Sequence, residues 1–330
     1  MRRSEVRRVL VGAGWLGVAW LVTLPMTGVS RYVTHMAVIA GIYAILALGL
    51  FVVTGLTGQL SLGQAGAWGV GAYTSALLTT RLGWDFWYCL PAVVLVSLLV
   101  GIGLGLPSLK VSGLYLAMIT VGFVEIARLV FLNWISLTGG PMGVINIPPP
   151  SVLGQHLYGP RAYYPLVVVF LALTILFVWR LTNSRVGVVL RTVADSEVAA
   201  RSVGINTVYY KVLAFAISTC LGGIAGSLYA HYVTYIDPPA FSLAESIFLL
   251  IVIIVGGKSS LLGVVGAAIL LTFGLEYLKA LREYRMIVYG LMLLGCIIFL
   301  PKGVGGYLEE LWQRLFAGAD RAGRQTVRTG

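Results

Sequence analysis

Residues 183–210 read NSRVGVVLRTVADSEVAARSVGINTVYY, a polar island in an otherwise strongly apolar chain. How this island is read decides how the rest is arranged. It carries Arg185, Arg191 and Arg201 with Asp195 and Glu197. Thr192 followed three residues later by Asp195 fits a capping box, so the sequence predicts a helix from that point. Val193, Val198, Ala199 and Val203 supply an apolar stripe at roughly helical spacing. Gly204 is a natural stop, because glycine takes the left-handed cap conformation cheaply. Arg191 with Asp195, and Glu197 with Arg201, are each four apart and can meet on one helix face. Ala199 and Ala200 place small residues near the end. A membrane protein needs such a short amphipathic helix where a soluble partner grips it; the alternative is a basic loop that only sets topology.

Of the 330 residues, 58% are hydrophobic and 11% charged, against about 25% charged in a soluble domain. Long apolar runs satisfy their backbone in lipid only as helices, so the chain is an all-α, polytopic transmembrane bundle surrounded by membrane lipid. The net charge of +11 then reflects cytoplasmic loops and does not imply a nucleic-acid partner. Cys89, Cys220 and Cys296 all fall in predicted spans without pairing or metal-ligand spacing, which excludes a disulfide framework and a metal site. His35, His156 and His231 are isolated as well and belong at span ends or in loops.

The N-terminus, MRRSEVRRVLVGAGWLGVAWLVTLP, begins like a signal peptide but has no small-x-small cleavage site, and Pro25 follows its apolar run. It reads as a retained first span. Apolar windows of about 20 residues give ten spans, at about 9–27, 34–54, 59–80, 87–108, 113–134, 163–181, 209–231, 243–257, 260–278 and 286–300. With the N-terminus inside, sixteen of the 23 Lys and Arg fall in inner segments, six in outer segments, and Arg128 within a span. That bias puts both termini and the loop 182–208 in the cytoplasm. Lys279, Arg282 and Arg285 sit on the wrong side, which leaves open that spans eight and nine form one re-entrant pair. Residues 1–310 thus form the membrane domain and 311–330 a basic cytoplasmic tail.

The stretch 55–80, GLTGQLSLGQAGAWGVGAYTSALLTT, would make a poor lipid-facing helix. Gln59 and Gln64 must find partners inside the bundle or face water, and the small residues allow close backbone approach. Gln59, Ser61, Gly63, Gln64 and Gly66 therefore read either as lining or gating a pathway or as tight helix packing. Leu62-Gly63-Gln64-Ala65-Gly66-Ala67 echoes Leu262-Gly263-Val264-Val265-Gly266-Ala267, either as paired structural units or by chance. Glu125 and Arg128, three apart in the fifth span, can pair on one face. They face either the bundle interior or an aqueous cavity, or lie near the outer interface and snorkel. The following segment, SLTGGPMGVINIPPP (136–150), cannot be regular helix at Gly139, Gly140, Pro141 and Gly143. With Thr138 it is a candidate docking surface for an external protein.

Six stretches together resemble one family: GLTGQLSLGQAGAWGVGAY (55–73), SGLYLAMITVGFVEIAR (112–128), LTGGPMGVINIPPP (137–150), the 184–206 loop, FSLAESIFLLIVIIVGGKSS (241–260) and LPKGVGG (300–306). The chain is similar to the membrane subunits of branched-chain amino acid ABC importers, specifically the M-type permease. The resemblance implies a complex with an H-type permease, two cytoplasmic ATPases and an extracytoplasmic solute-binding protein in a bacterial inner membrane. ATP and magnesium would be held by the ATPases, and no cofactor by this chain.

The 192–204 helix then reads as the coupling helix that sits in an ATPase groove. Ala199-Ala200-x3-Gly204 fits the importers' EAA-x3-G motif, but Val198 holds the Glu position and Glu197 is displaced by one. The downstream Ile-x-Leu-Pro is missing, and Lys258 stands in Gly256-Gly257-Lys258-Ser259-Ser260 where relatives often have Gly-Gly-Met-Gly-Ser. No Walker A pattern occurs, so the chain has no ATPase site of its own. The implied function is import of branched-chain or related amino acids by alternating access. Urea, short amides or aromatic acids are alternative cargoes. An ion-coupled secondary transporter, in which Glu125 would be the midplane carboxylate, and a structural scaffold are the competing classes.

Overall fold

In hydrocarbon every backbone N–H and C=O must be bonded within the chain, and the apolar runs fold accordingly as helices. A computed structural model describes residues 30–277, except 110, 112, 153 and 259, together with 287, 290, 291 and 294. Helix α1 (Arg31–Phe51) is capped by Ser30, whose hydroxyl accepts from Val33 N, and runs into a π turn at Val52–Leu56. Next come α2 (Gln64–Leu82), α3 (Phe86–Gly105), α4 (Leu114–Asn133) and the single turn α5 (Ile135–Thr138). They are followed by α6 (Gly159–Thr182), α7 (Arg185–Asp195), α8 (Glu197–Ser202), α9 (Thr207–Val233), α10 (Leu243–Gly256) and α11 (Leu261–Tyr277). Two-residue strands β1 (Ser151–Val152) and β2 (Gln155–His156) pair antiparallel in the loop before α6. The expected all-α bundle is what forms.

Among the described residues five helices are long and apolar enough to cross a bilayer: Arg31–Leu56, α3, α4, α6 and α9. The span expected at 59–80 is corrected: residues 57–63 are not helical, and the helix begins at Gln64. Its Gly, Ser and Thr content suits contact with protein, not lipid, and most of α2 is buried. The 14 residues of α10 reach only about 21 Å, short of a hydrocarbon core of about 30 Å. The expected span at 9–27, most of that at 286–300, the Lys279–Arg285 cluster and the tail 311–330 lie outside the described residues.

The centre of the bundle is α9, which packs against both α2 and α3 at glycines. A methyl placed on Gly71 would meet the Gly223 backbone, and one on Gly226 the Trp68 carbonyl. One on Gly101 would strike Thr219 Oγ1 and the Ala216 backbone. Thr219 Oγ1 also donates to Ser97 O at 2.9 Å. Trp68, Tyr73, Phe131, Tyr229 and Phe241 fill the space beside this contact, with Tyr73 stacked on Phe131 at 4.2 Å between ring centroids.

Loop contacts sort the helix ends into two sets. At one end Val144 and Ile236 exchange backbone hydrogen bonds of 2.9 and 3.0 Å, Arg81 donates to Leu137 O, and Ser151 Oγ donates to Asp85. This is the proline-loop end. At the other, the polar-loop end, α7 lies against Gly58, and Lys211 reaches Ser108 O.

Gly71→Val should lower the stability of the detergent-solubilised protein by about 1–3 kcal/mol, because the neighbour it strikes is backbone and cannot yield. Gly103→Ala meets nothing within 4 Å and should be neutral or slightly stabilising. A thermal-aggregation series in which both variants melt together would contradict the proposed packing of α9.

Candidate functional site

The polar island folds as a knuckle of two helices, not one. Ser184 caps α7 by accepting from Gly187 N at 3.3 Å. Thr192, expected as a cap, is inside that helix and donates to Val188 O. The break falls at Ser196, which is extended (φ −160°, ψ 110°) and caps α8 by accepting from Ala199 N at 3.2 Å. A serine can leave the helical region and repay the freed N–H with its own side chain, so Ser196 outcompetes continuation of the helix. The expected apolar stripe is corrected too. Val193 is buried, but Val198 is 80% exposed and Val203 72% exposed, while Ala200 is fully buried. Ala199 and Asp195 are exposed. Arg191 does not pair with Asp195; its guanidinium donates to Thr182 O at 3.2 Å. Gly204 does take the left-handed conformation, at φ 82°.

Glu197 and Arg201 do meet, at 2.6 Å. The stronger anchor of Glu197 is Lys211, whose ammonium lies 2.6 Å from Oε2 and 3.4 Å from Ser108 O. Lys211 is only 5% exposed. Thr207 Oγ1 completes the cluster, accepting from Arg201 Nε at 3.0 Å and donating to Glu197. Burial pushes the Glu197 carboxyl upward, but the hydrogen bonds and charges of Lys211 and Arg201 outweigh it and hold the carboxyl below its ordinary value. The tether is therefore present above the ordinary carboxylate range and is lost only as pH falls through that lowered value. The burial of the Lys211 stem and head is not visible in a pattern of residue types.

The broken passage before α2 is held from four sides. Leu62 N donates to Thr120 Oγ1 at 2.9 Å, and Ala65 N to Ser246 Oγ at 3.1 Å. Gln64 Nε2 donates to the carbonyls of Leu46 and Ser218, and its Oε1 accepts from Ser218 Oγ at 2.9 Å. Ser61 is buried and accepts from Gly63 N. Gly66 packs on the Phe123 ring and Gly63 lies near Thr120 and Phe123. Gln59 is buried with neither amide atom hydrogen-bonded. Gln59, Ser61, Gly63, Gln64 and Gly66 thus form one polar seam.

Glu125 and Arg128 pair at 2.8 Å on α4, with side chains 39% and 32% exposed. Glu245, which sequence reading did not single out, is buried in the first turn of α10 and accepts from Tyr43 Oη at 2.7 Å. A carboxylate beside a serine at the start of an apolar run was the available signal.

The 136–150 segment is largely stitched into the bundle. Thr138 Oγ1 donates to Phe131 O and Trp134 O, and Gly140 is buried. Gly139, Gly140 and Gly143 have φ of 78°, 60° and 67°. Pro141 and Met142 at its tip are exposed, as are Ile145, Asn146 and Pro148 further along. Behind it, His231 bridges Pro148 O at 2.7 Å and Ser75 Oγ at 2.9 Å.

These features define a multi-pass helical membrane protein with a polar, non-helical passage in its core. Residues 32–297 match the family model described as branched-chain amino acid transport system / permease component, and the chain belongs to that family. It is 36% identical over 312 residues to the high-affinity branched-chain amino acid transport system permease protein LivM of Escherichia coli, covering 88% of this chain and 72% of that one. The LivM protein of Salmonella typhimurium is 36% identical over 299 residues, 84% and 70% of the two chains. The autoinducer 2 import system permease protein LsrC of Salmonella typhi is 24% identical over 226 residues, 64% and 63%. No solved structure matches.

Glu197→Gln should destabilise the solubilised protein by about 2 kcal/mol, since it leaves the buried Lys211 charge without its counterion. Lys211→Met should cost less, and the double change less than the sum of the two. A double-mutant cycle of thermal midpoints tests this; strict additivity would show that the pair contributes nothing.

Proposed function

We propose that this chain is a membrane-spanning permease subunit of an ATP-driven importer for branched-chain or related amino acids. The observation that carries this is the match to a branched-chain amino acid transport permease model over residues 32–297, with 36% identity to LivM proteins across most of the chain. The weaker 24% identity to the autoinducer 2 permease LsrC favours amino acids over other cargoes. In this reading the chain sits in a bacterial inner membrane with both termini cytoplasmic. It works with an H-type permease, two cytoplasmic ATPases that hold ATP and magnesium, and an extracytoplasmic solute-binding protein, and binds no cofactor itself.

The α7–α8 knuckle is the ATPase contact. Arg191, Asp195, Ala199 and Arg201 lie at its exposed surface, while Glu197 and Ala200 fix it to the bundle from beneath. ATP binding moves the ATPases, the knuckle follows, and the α8–α9 tether passes the movement to the core, so that the pathway switches its open side. The polar seam of Gln59, Ser61, Gly63, Gln64 and Gly66 is the part of that pathway or gate carried by this chain, with Glu125 and Arg128 at its outer flank. The exposed loop tip around Pro141 faces the binding protein.

Ala199→Glu and Val198→Glu put charge on the exposed face of α8 and should leave membrane insertion intact. ATPase co-purification should fall at least ten-fold. Ala200→Glu instead buries a charge within the chain and should lower folded yield. Gly204→Val forces a β-branched residue to φ 82°, a strain of about 1–3 kcal/mol that should leave ATP hydrolysis uncoupled from uptake. The measurement is co-purification plus binding-protein-stimulated hydrolysis and leucine uptake in reconstituted vesicles. Wild-type assembly and coupling in all the exposed-face variants would reject the knuckle as the ATPase contact.

A further inference from the structure

We propose that the outward face of α4, from Tyr115 through Met118, Gly122, Ile126 and Leu129 to Asn133, is the docking surface for the second membrane subunit and is not a lipid face. The proposal rests on the heteromeric reading above.

Among the described residues three of the long helices are thinly covered: α3, α4 and α6. On α3 the exposed large residues are Trp87 and Tyr88 in the first turn and then Val94, Leu95, Leu98, Leu99 and Ile102, and on α6 Val169, Leu173, Leu176 and Phe177. Past the first turn of α3 all are apolar, as hydrocarbon requires. Only α4 differs. Glu125 lies eleven residues past Leu114, or about 17 Å along the helix axis, near the middle of a bilayer core. A charge there costs several kcal/mol in lipid and belongs against protein or water.

The pair is not fully satisfied by itself. Arg128 Nε and Nη2 both donate to one oxygen, Glu125 Oε2, at 2.9 and 2.8 Å. Among the described residues, Glu125 Oε1 and Arg128 Nη1 make no hydrogen bond. Nor does Arg128 snorkel: its guanidinium is drawn back one turn toward Glu125, away from the near end of α4. The remaining donor and acceptor call for a polar side chain on whatever covers this face.

The second observation is Gly122. It sits in the middle of the exposed stripe, in ordinary helical conformation, and a methyl there would meet nothing within 4 Å. A mid-helix glycine costs about 1 kcal/mol relative to alanine, and among the described residues no side chain packs on Gly122, in contrast to Gly66 against Phe123; Gly103 on α3 is equally open but has no charged pair beside it. A notch between Met118 and Ile126 is what lets a second membrane helix approach closely. Above it Ile126, Leu129, Val130, Asn133 and Trp134 line a shallow groove. The occupant is a membrane-spanning helix with a small or medium side chain opposite Gly122 and a hydrogen-bonding side chain opposite the ion pair.

The test uses the whole complex in native membranes. A photoactivatable benzoyl-phenylalanine is placed at Ile126, with Leu98 and Leu173 as controls on α3 and α6. Irradiation should join Ile126 to the second membrane subunit at least ten-fold more than either control, with the adduct identified by mass spectrometry. Lipid-only adducts at Ile126, an adduct to another segment of this chain or to another copy of it, or equal subunit adducts from Leu98 or Leu173 would overturn the proposal. Gly122→Leu fills the notch without touching this chain's own fold. It should keep the thermal midpoint of the solubilised chain within about 2 °C while cutting co-purification of the second subunit at least ten-fold; full co-purification would count against the proposal. If the wild-type chain brings down no second membrane subunit, the heteromeric reading itself fails, and this one with it.

Discussion

The structure depends on how one stretch of non-helical backbone is satisfied inside a bundle of apolar helices. Residues 57–63 enter the core without a helical ladder, where an unbonded N–H or C=O costs several kcal/mol. Leu62 N is taken up by Thr120 on α4, and at the start of α2 Ala65 N is taken up by Ser246 on α10, while the Gln64 side chain bonds the Leu46 carbonyl of α1 and Ser218 on α9. None of these is close to the passage in sequence. The passage therefore fixes the mutual positions of α1, α4, α9 and α10, and any rearrangement of one of them breaks bonds at the seam.

The second constraint is backbone contact. Because Gly71, Gly101, Gly223 and Gly226 bring α9 into van der Waals contact with the backbones or short side chains of α2 and α3, α9 cannot slide against them without collision. It moves with them or not at all. Its two ends are also held, by Lys211 to Glu197 and Ser108 at one, and by Ile236 pairing with Val144 just past the other. A helix that is rigid in the middle and tied at both ends is a rod joining the polar-loop end to the proline-loop end.

Much of this was legible in the sequence, and the rest failed for identifiable reasons. Helix existence followed from run length, because lipid admits no other backbone solution for an apolar run. The polar stretch 55–80 stood out for the same reason, but its composition could not locate the helix start at Gln64, since Thr120 and Ser246 lie far away in sequence. Local rules erred where a side chain had two uses. Thr192 and Ser196 both suit a cap, and only the turn of the chain back toward α9 selects Ser196. The valines of α8 looked like a core stripe, yet Val198 and Val203 point to solvent because the six-residue helix is oriented by Glu197 and Ala200. Gly204 was read correctly because a left-handed helix stop is a backbone property that depends little on tertiary context.

The ion pairs also distinguish fixed features from moving ones. Glu125 and Arg128 are three residues apart on α4, so any rigid-body motion of that helix carries both together and leaves their distance unchanged. Such a pair is a permanent dipole on a helix face. It is poorly suited to take up and release a proton in each cycle, because no movement between elements separates its members. Glu197 and Lys211 lie on different elements, α8 and α9, with the Ser108 carbonyl from the α3–α4 connection as a third party. Their distance changes whenever the knuckle shifts against the bundle. Among the described residues this is the ion pair that can register a displacement at the surface. Its buried lysine cannot be left unpaired without cost, so a shift of α8 must pull α9 along. This accounts for a charged tether beneath a surface helix whose own outer face carries exposed valines.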